Sequence, residues 1–207
     1  MPRPRTTSAG EPAGLILHPR TPRSLRVHDS ALQSTRALLR EGGLTAATID
    51  AISARSGVSK ATLYKHWPSR IAIAAEAFGG DLAEAVPLPD TGTTAGDLRA
   101  QLRLVSAFYA SAEGHVYREL LAACVQDADG SAYFRVFFLA GRRAAVATLW
   151  QRGVERGDVR PGVDVETATD LMFGPLVFRL MTGHTPLTPE RADAVADAAF
   201  AGLLRTD

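Results

Sequence analysis

The sequence predicts an all-α protein, and three observations carry that prediction. Apolar residues recur at intervals of three and four through most of the chain, the spacing of one helix face. No stretch alternates apolar and polar residues with period two over a useful length. Breaks such as Gly42-Gly43, Gly57, Pro68, Gly114 and Pro161-Gly162 divide the pattern, so the 207 residues read as about nine helices.

Residues 1–24 are rich in Pro, Arg, Thr, Ser and Gly, a composition that cannot bury a core. They are expected to be a disordered basic arm. Either the arm contacts phosphates or the minor groove, or it is a solvated leader. A first helix is predicted over 24–41, with Val27, Ala31, Leu32, Thr35, Leu38 and Leu39 on one face and Gly42-Gly43 as its stop.

Residues 48–67 are the centre of the reading. Ile49, Ile52, Ala51 and Ala54 make one face of a short helix, capped by the Thr48 hydroxyl. Gly57 can take the left-handed conformation that ends a helix, and Val58 plugs the turn. Ser59 caps a second helix over 60–67, whose buried side is Leu63 and Trp67. A short helix, a glycine turn and a second short helix form the helix-turn-helix pattern, which presents its second helix to base edges in the major groove. That helix offers Ser59, Lys60, Thr62, Tyr64, Lys65 and His66 on its outer face. The rival reading is an ordinary helical hairpin with a solvated face.

A helix over 69–86 follows, with Ile71, Ala74, Ala75, Phe78 and Leu82 inward and Arg70 in its first turn, towards the expected DNA side. Gly79-Gly80 is expected to bend or fray it. Residues 87–96 read as a linker and set a boundary between a DNA-binding domain (25–86) and a helical body (87–207). The body holds helices over 97–112, 115–128, 131–156, 165–183 and 188–204, with Asp129-Gly130 read as a turn. Thr188-Pro189-Glu190 is a strong helix start: a cap, a proline in the first turn and an early acid.

The residues Thr48-Ile49, Ile52, Gly57-Val58-Ser59-Lys60, Thr62-Leu63-Tyr64, His66-Trp67 and Ser69-Arg70 resemble the DNA-binding signature of the TetR family of transcriptional repressors. The close match covers about residues 27–80. Ser53 stands where alanine is usual, and Arg70 where lysine is common. The resemblance implies a dimeric repressor of duplex DNA, with Thr48, Ser59, Lys60, Thr62, Tyr64, Lys65, His66 and Arg70 at the operator. It also implies a small apolar or amphipathic effector bound between body helices. Phe108, Tyr109, Phe134, Phe138, Met172 and Phe173 are candidates to line that site, although each aromatic taken singly also reads as plain core. His115, Arg179 and His184 either orient a ligand or lie on the surface.

Charge supports a basic head. Residues 1–75 hold 11 Lys/Arg against 4 Asp/Glu, and residues 76–207 hold 12 against 18. The last two helices carry more apolar and small residues than one core face needs. Leu171, Leu176, Phe178, Val195, Ala199 and Phe200 are therefore predicted to meet a second subunit in a four-helix bundle. The alternative is a core helix within one chain, and Gly174-Pro175 is expected to kink the first of the pair.

No catalytic constellation stands out. Ser131, His115 and Asp127, or Cys124 with His115, lack a recognisable nucleophile context, and no spacing suggests a metal or a cofactor. The single cysteine, Cys124, excludes an intrachain disulfide. No run of 18 apolar residues and no signal-like leader occur, so a cytoplasmic, non-membrane protein is expected. A helical interaction protein, or a regulator without a small-molecule ligand, is the remaining alternative.

Overall fold

The computed structural model describes residues 21–82 and 88–204. Residues 1–20 of the expected disordered arm and the last residues of the helix predicted to reach Val86 lie outside the described residues, while residues 21–24, assigned to the arm, instead begin the first helix. Helix α1 (Pro22–Ala46) starts on Thr21, whose side chain accepts from Ser24 N, with Pro22 in its first turn. Regular helix ends at Gly42 and Gly43, as the glycine pair predicts, and Gly43 takes φ +64°. Helix α2 (Ile49–Ser56) is capped by Thr48 and closed by left-handed Gly57 at φ +70°. Helix α3 (Lys60–His66) is capped by Ser59. These three surround a core of Ala31, Leu32, Leu39, Ala47, Ile52, Val58, Leu63 and Trp67, while Ala54, predicted inward, is exposed.

Helix α4 (Arg70–Leu82) leads from this head into the body and packs on α1 and α7. Its residues 71–78 are all buried, Glu76 included. The helix runs through Gly79 without a break, contrary to the expected interruption, and the packing gives the reason. A Cβ at Gly79 would lie 2.6 Å from the Phe137 carbonyl carbon, so the missing side chain permits a close backbone approach.

The body follows as α5 (Thr94–Tyr109), α6 (Ala112–Cys124), α7 (Ala128–Phe134), a π-helical turn (Arg135–Leu139), α8 (Ala140–Arg156), α9 (Val165–Thr182) and α10 (Pro189–Leu203). Helix α7, the π turn and α8 are continuous, so the described residues form nine rods. Asp129-Gly130, read as a turn, lies inside the first turn of α7. The cap is Asp127, whose Oδ1 accepts from Gly130 N at 2.7 Å. A lone antiparallel bridge joins Val159 to Leu204. Asp97 is fully buried at the base of α5, where it accepts from Thr91 N (2.6 Å) and Arg156 Nη1 (2.9 Å) and so ties the start of α5 to the end of α8. Among the described residues no helix is long and apolar enough to cross a membrane.

Candidate nucleic-acid interface and effector cavity

Helix α3 turns Leu63 and Trp67 into the head core and leaves Lys60, Tyr64 and Lys65 exposed, Tyr64 at 56%. Lys60 pairs with exposed Asp50 of α2, a partner sequence reasoning missed. Ser59 Oγ accepts from Thr62 N at 3.2 Å and lies 2.9 Å from Thr62 Oγ1. Thr48 Oγ1 accepts from Ala51 N at 3.1 Å. Thr48, Ser59 and Thr62 thus spend hydrogen bonds on holding α2 and α3, and keep edges open to solvent.

Two of the predicted contact residues face inward more than expected. His66 is half-buried, with its ring 5.5 Å from Trp67 and 5.8 Å from His28. Burial first, then His28 and Lys65, holds its imidazole below the ordinary 6.5. Arg70 Nη1 donates to Leu44 O at 2.6 Å, so its guanidinium buckles α4 to the end of α1.

Behind the reading helix lies buried Glu76, which the periodicity alone concealed. Its Oε2 accepts from Trp67 Nε1 at 2.6 Å, and its Oε1 lies 2.8 Å from His28 Nε2. The His28 ring stacks on Trp67 at 4.6 Å. One carboxylate therefore joins α1, the end of α3 and α4. Two further bonds tie head to body: Tyr133 Oη donates to His66 O at 3.3 Å, and Leu44 N donates to Glu119 Oε2 of α6 at 2.7 Å.

The body forms an open-mouthed cavity of about 500 Å³ between α5, α6, the π turn, α8 and α9. Four of the six predicted lining residues, Phe108, Tyr109, Phe138 and Phe173, are on its wall. Phe134 and Met172 are not. Phe134 stacks on Phe138 at 5.2 Å from behind, and Met172 is fully buried in the core. Missed wall residues include Gln101, Tyr117, Arg142, Thr169 and Val177. They recur at helical spacing with the predicted ones, but spacing does not say which apolar face leaves a gap. Tyr109 Oη donates to Tyr117 Oη at 3.5 Å, and burial, then Tyr117, raises the Tyr109 phenol well above its ordinary value. At the rim Arg143 binds Glu166 (2.6 Å) and Asp170 (2.9 Å). His115, Arg179 and His184 are not on the cavity wall, although the His184 ring packs 5.2 Å from that of Phe178, which borders it. Arg179 Nη1 instead donates to Arg191 O of α10 at 3.1 Å.

The predicted dimer residues divide. Leu171 and Phe178 are 54% and 62% exposed, and with Gly174 and Met181 they form one outward stripe of α9. Leu176 and Val195 are corrections: at 0% and 8% exposure they pack inside their own chain. On α10 the outward positions are Ala194, Ala198 and Ala201, while Ala199 and Phe200 are half-buried, with Arg99 over the Phe200 ring at 5.5 Å. Burial pushes the Cys124 thiol up to about 11, which leaves it unreactive at neutral pH.

A capped helix-turn-helix on a helical body with an open cavity defines a DNA-binding transcriptional regulator. The description "Bacterial regulatory proteins, tetR family" matches residues 31–77, and "Tetracyclin repressor-like, C-terminal domain" matches residues 88–199. The uncharacterized HTH-type transcriptional regulator YdeS of Bacillus subtilis (strain 168) is 31% identical over 185 residues, 89% of this chain and 93% of that protein. The uncharacterized regulator Rv1556 of Mycobacterium tuberculosis is 29% identical over 168 residues, 80% of this chain and 82% of that one. The crystal structure of the TetR family regulator SCO0332 superposes with a TM-score of 0.73 at 32% identity, covering 86% of this chain and 98% of that one. The chain belongs to the TetR family of transcriptional regulators.

Proposed function

We propose that the protein is a homodimeric repressor that holds a palindromic operator and releases it when a small apolar or amphipathic molecule fills the cavity. One observation carries this reading. Helix α6 supplies Tyr117 to the cavity wall and, two residues on, Glu119 to the Leu44 amide of the head. A ligand that moves α6 therefore acts on the seat of the helix-turn-helix, and it favours whichever head position fits DNA less well.

On the DNA side, Lys60, Thr62 and Tyr64 meet bases or phosphates, Lys65 holds the backbone, and the Thr48-capped start of α2 faces phosphate. His66 and Arg70 support this surface from behind and reach it through their exposed edges. Two reading helices about one duplex turn apart, ~34 Å, engage the two half-sites together. The exposed α9 stripe and the alanines of α10 form the contact between subunits, which sets that spacing. The N-terminal basic arm and a cytoplasmic setting fit the same role.

The test is fluorescence anisotropy on duplex DNA from the gene's own upstream region, with mass by light scattering. The wild type is expected to be a dimer that binds with steep salt dependence. A Lys60→Ala/Tyr64→Ala double variant should dimerise normally and lose the operator. Wild-type affinity in that variant would reject the assignment.

A further inference from the structure

The cavity wall carries chemistry that selects its occupant. This inference rests on the effector reading above and deepens it. Five rings, those of Phe108, Tyr109, Tyr117, Phe138 and Phe173, line the space, and exposed Phe178 of the α9 stripe borders it. Several already pack as aromatic pairs, with Tyr109 stacked on Tyr117 at 5.0 Å and Phe138 tilted at 46° against Tyr117 at 5.1 Å. Flat walls of this kind reward a flat ligand, because ring pairs gain from offset or edge contacts beyond the area they bury.

Two polar groups interrupt the apolar wall. Gln101 is 3% exposed, and its Oε1 has no hydrogen-bond partner in the protein. A buried acceptor left unmatched costs free energy until a donor reaches it. The second group is Arg142, whose guanidinium lies over the Phe138 ring at 5.7 Å and near enough to Tyr109 to act on its phenol. A cation set against apolar rings gains from an anionic neighbour more than one in water does. Gln101 and Tyr109 are eight residues apart on α5, about 12 Å along the helix axis. Gln101 and Arg142 are on the wall of the same space.

We propose that the effector is an aromatic acid: a planar ring system between the aromatic walls, a hydroxyl donating to Gln101 Oε1, and an acidic oxygen received by Arg142. A cavity of about 500 Å³ is within the usual range for such small-molecule sites. Flexible fatty acids share the acid but neither the flat rings nor the hydroxyl donor.

The experiment is calorimetric titration of the full-length protein with 4'-hydroxybiphenyl-4-carboxylate. Biphenyl-4-carboxylate lacks the donor, biphenyl-4-ol lacks the acid, and dodecanoate lacks the rings. The hydroxy acid is expected to bind at least about tenfold more tightly than each of the three. Gln101→Leu should erase the preference for the hydroxyl and leave biphenyl-4-carboxylate binding unchanged. Arg142→Met should erase the preference for the acid. Equal or tighter binding of dodecanoate, no preference among the biphenyls, or no binding of any probe would each overturn the proposal. The probe series on the unmodified protein decides the matter even where a variant fails to fold. Operator release is read separately by anisotropy. Binding with the stated preferences but without release refutes the effector reading and upholds the ligand chemistry. Release by dodecanoate alone refutes the chemistry and upholds the effector reading.

Discussion

Replacing Glu76 by leucine should unseat the DNA-binding head. The side chain is buried and accepts from Trp67 Nε1 at 2.6 Å, with His28 Nε2 2.8 Å away. Leucine removes the acceptor and leaves the indole N–H and the imidazole without a partner in a dry core. A hydrogen bond to a charged acceptor contributes about 1.5–3 kcal/mol, and a donor stranded by its loss costs about 1–3 kcal/mol. Two such donors lead to an expected loss of roughly 3–5 kcal/mol, the range for breaking a buried pair. In a chain of this size that lowers Tm by about 6–20 °C. Glu76→Gln keeps one carbonyl for Trp67 and should lose about half as much. The assay is urea unfolding followed by circular dichroism and Trp fluorescence, with operator affinity measured at a temperature where both variants remain folded. A leucine variant within about 1 kcal/mol of wild type would refute the reasoning, because it would mean that neither donor depends on this carboxylate.

His66 should make stability fall in mild acid. Its folded pKa lies below the ordinary 6.5, so the unfolded chain binds more protons between the two values, and stability drops as pH falls through that window and is regained above 6.5. His66→Gln should flatten the slope of urea midpoint against pH below 6.5, and an unchanged slope would count against the assignment. Gly79→Ala forces a Cβ against the Phe137 carbonyl and should cost about 1–3 kcal/mol in thermal unfolding. A neutral result would show that α4 can move away freely. Leu171→Arg, on the exposed α9 stripe, should shift the mass seen by light scattering from two chains towards one and weaken operator binding with it. A dimer of unchanged strength would remove α9 from the interface. Asp97→Ala strands the Thr91 amide at the base of α5 and leaves Arg156 its longer bond to Asp90, and should cost about 1–3 kcal/mol by urea unfolding.

The head was readable from sequence because its signals are local. Thr48, Gly57 and Ser59 each act within three or four residues of their own position, and Leu63 and Trp67 are the apolar residues of a short polar helix. Glu76 was not readable, since its partners His28 and Trp67 come from other helices, and an isolated acid among alanines resembles a solvated one. Helix α9 failed differently. It is apolar nearly all round, so the pattern has no phase, and Leu176 could not be told from Leu171 until neighbours covered one of them. On α10 the outward stripe is built from alanines, and reading bulk as exposure led to buried Val195 instead of outward Ala194 and Ala198. For the cavity, Phe134 and Phe138 lie one turn apart with the same chemistry, and only the packing of α9 against α5 decides which faces open space.

The π turn at Arg135–Leu139 sets Phe137 and Phe138 side by side, one carbonyl against Gly79 of α4 and the adjacent ring on the cavity wall. With no Cβ at the crossing, main chain rests on main chain, and there is no rotamer there to yield. A displacement of the main chain at Phe138 must either unwind the widened turn or push the rod behind it. The fold thus has a hard bearing where most helix pairs have a cushion of side chains.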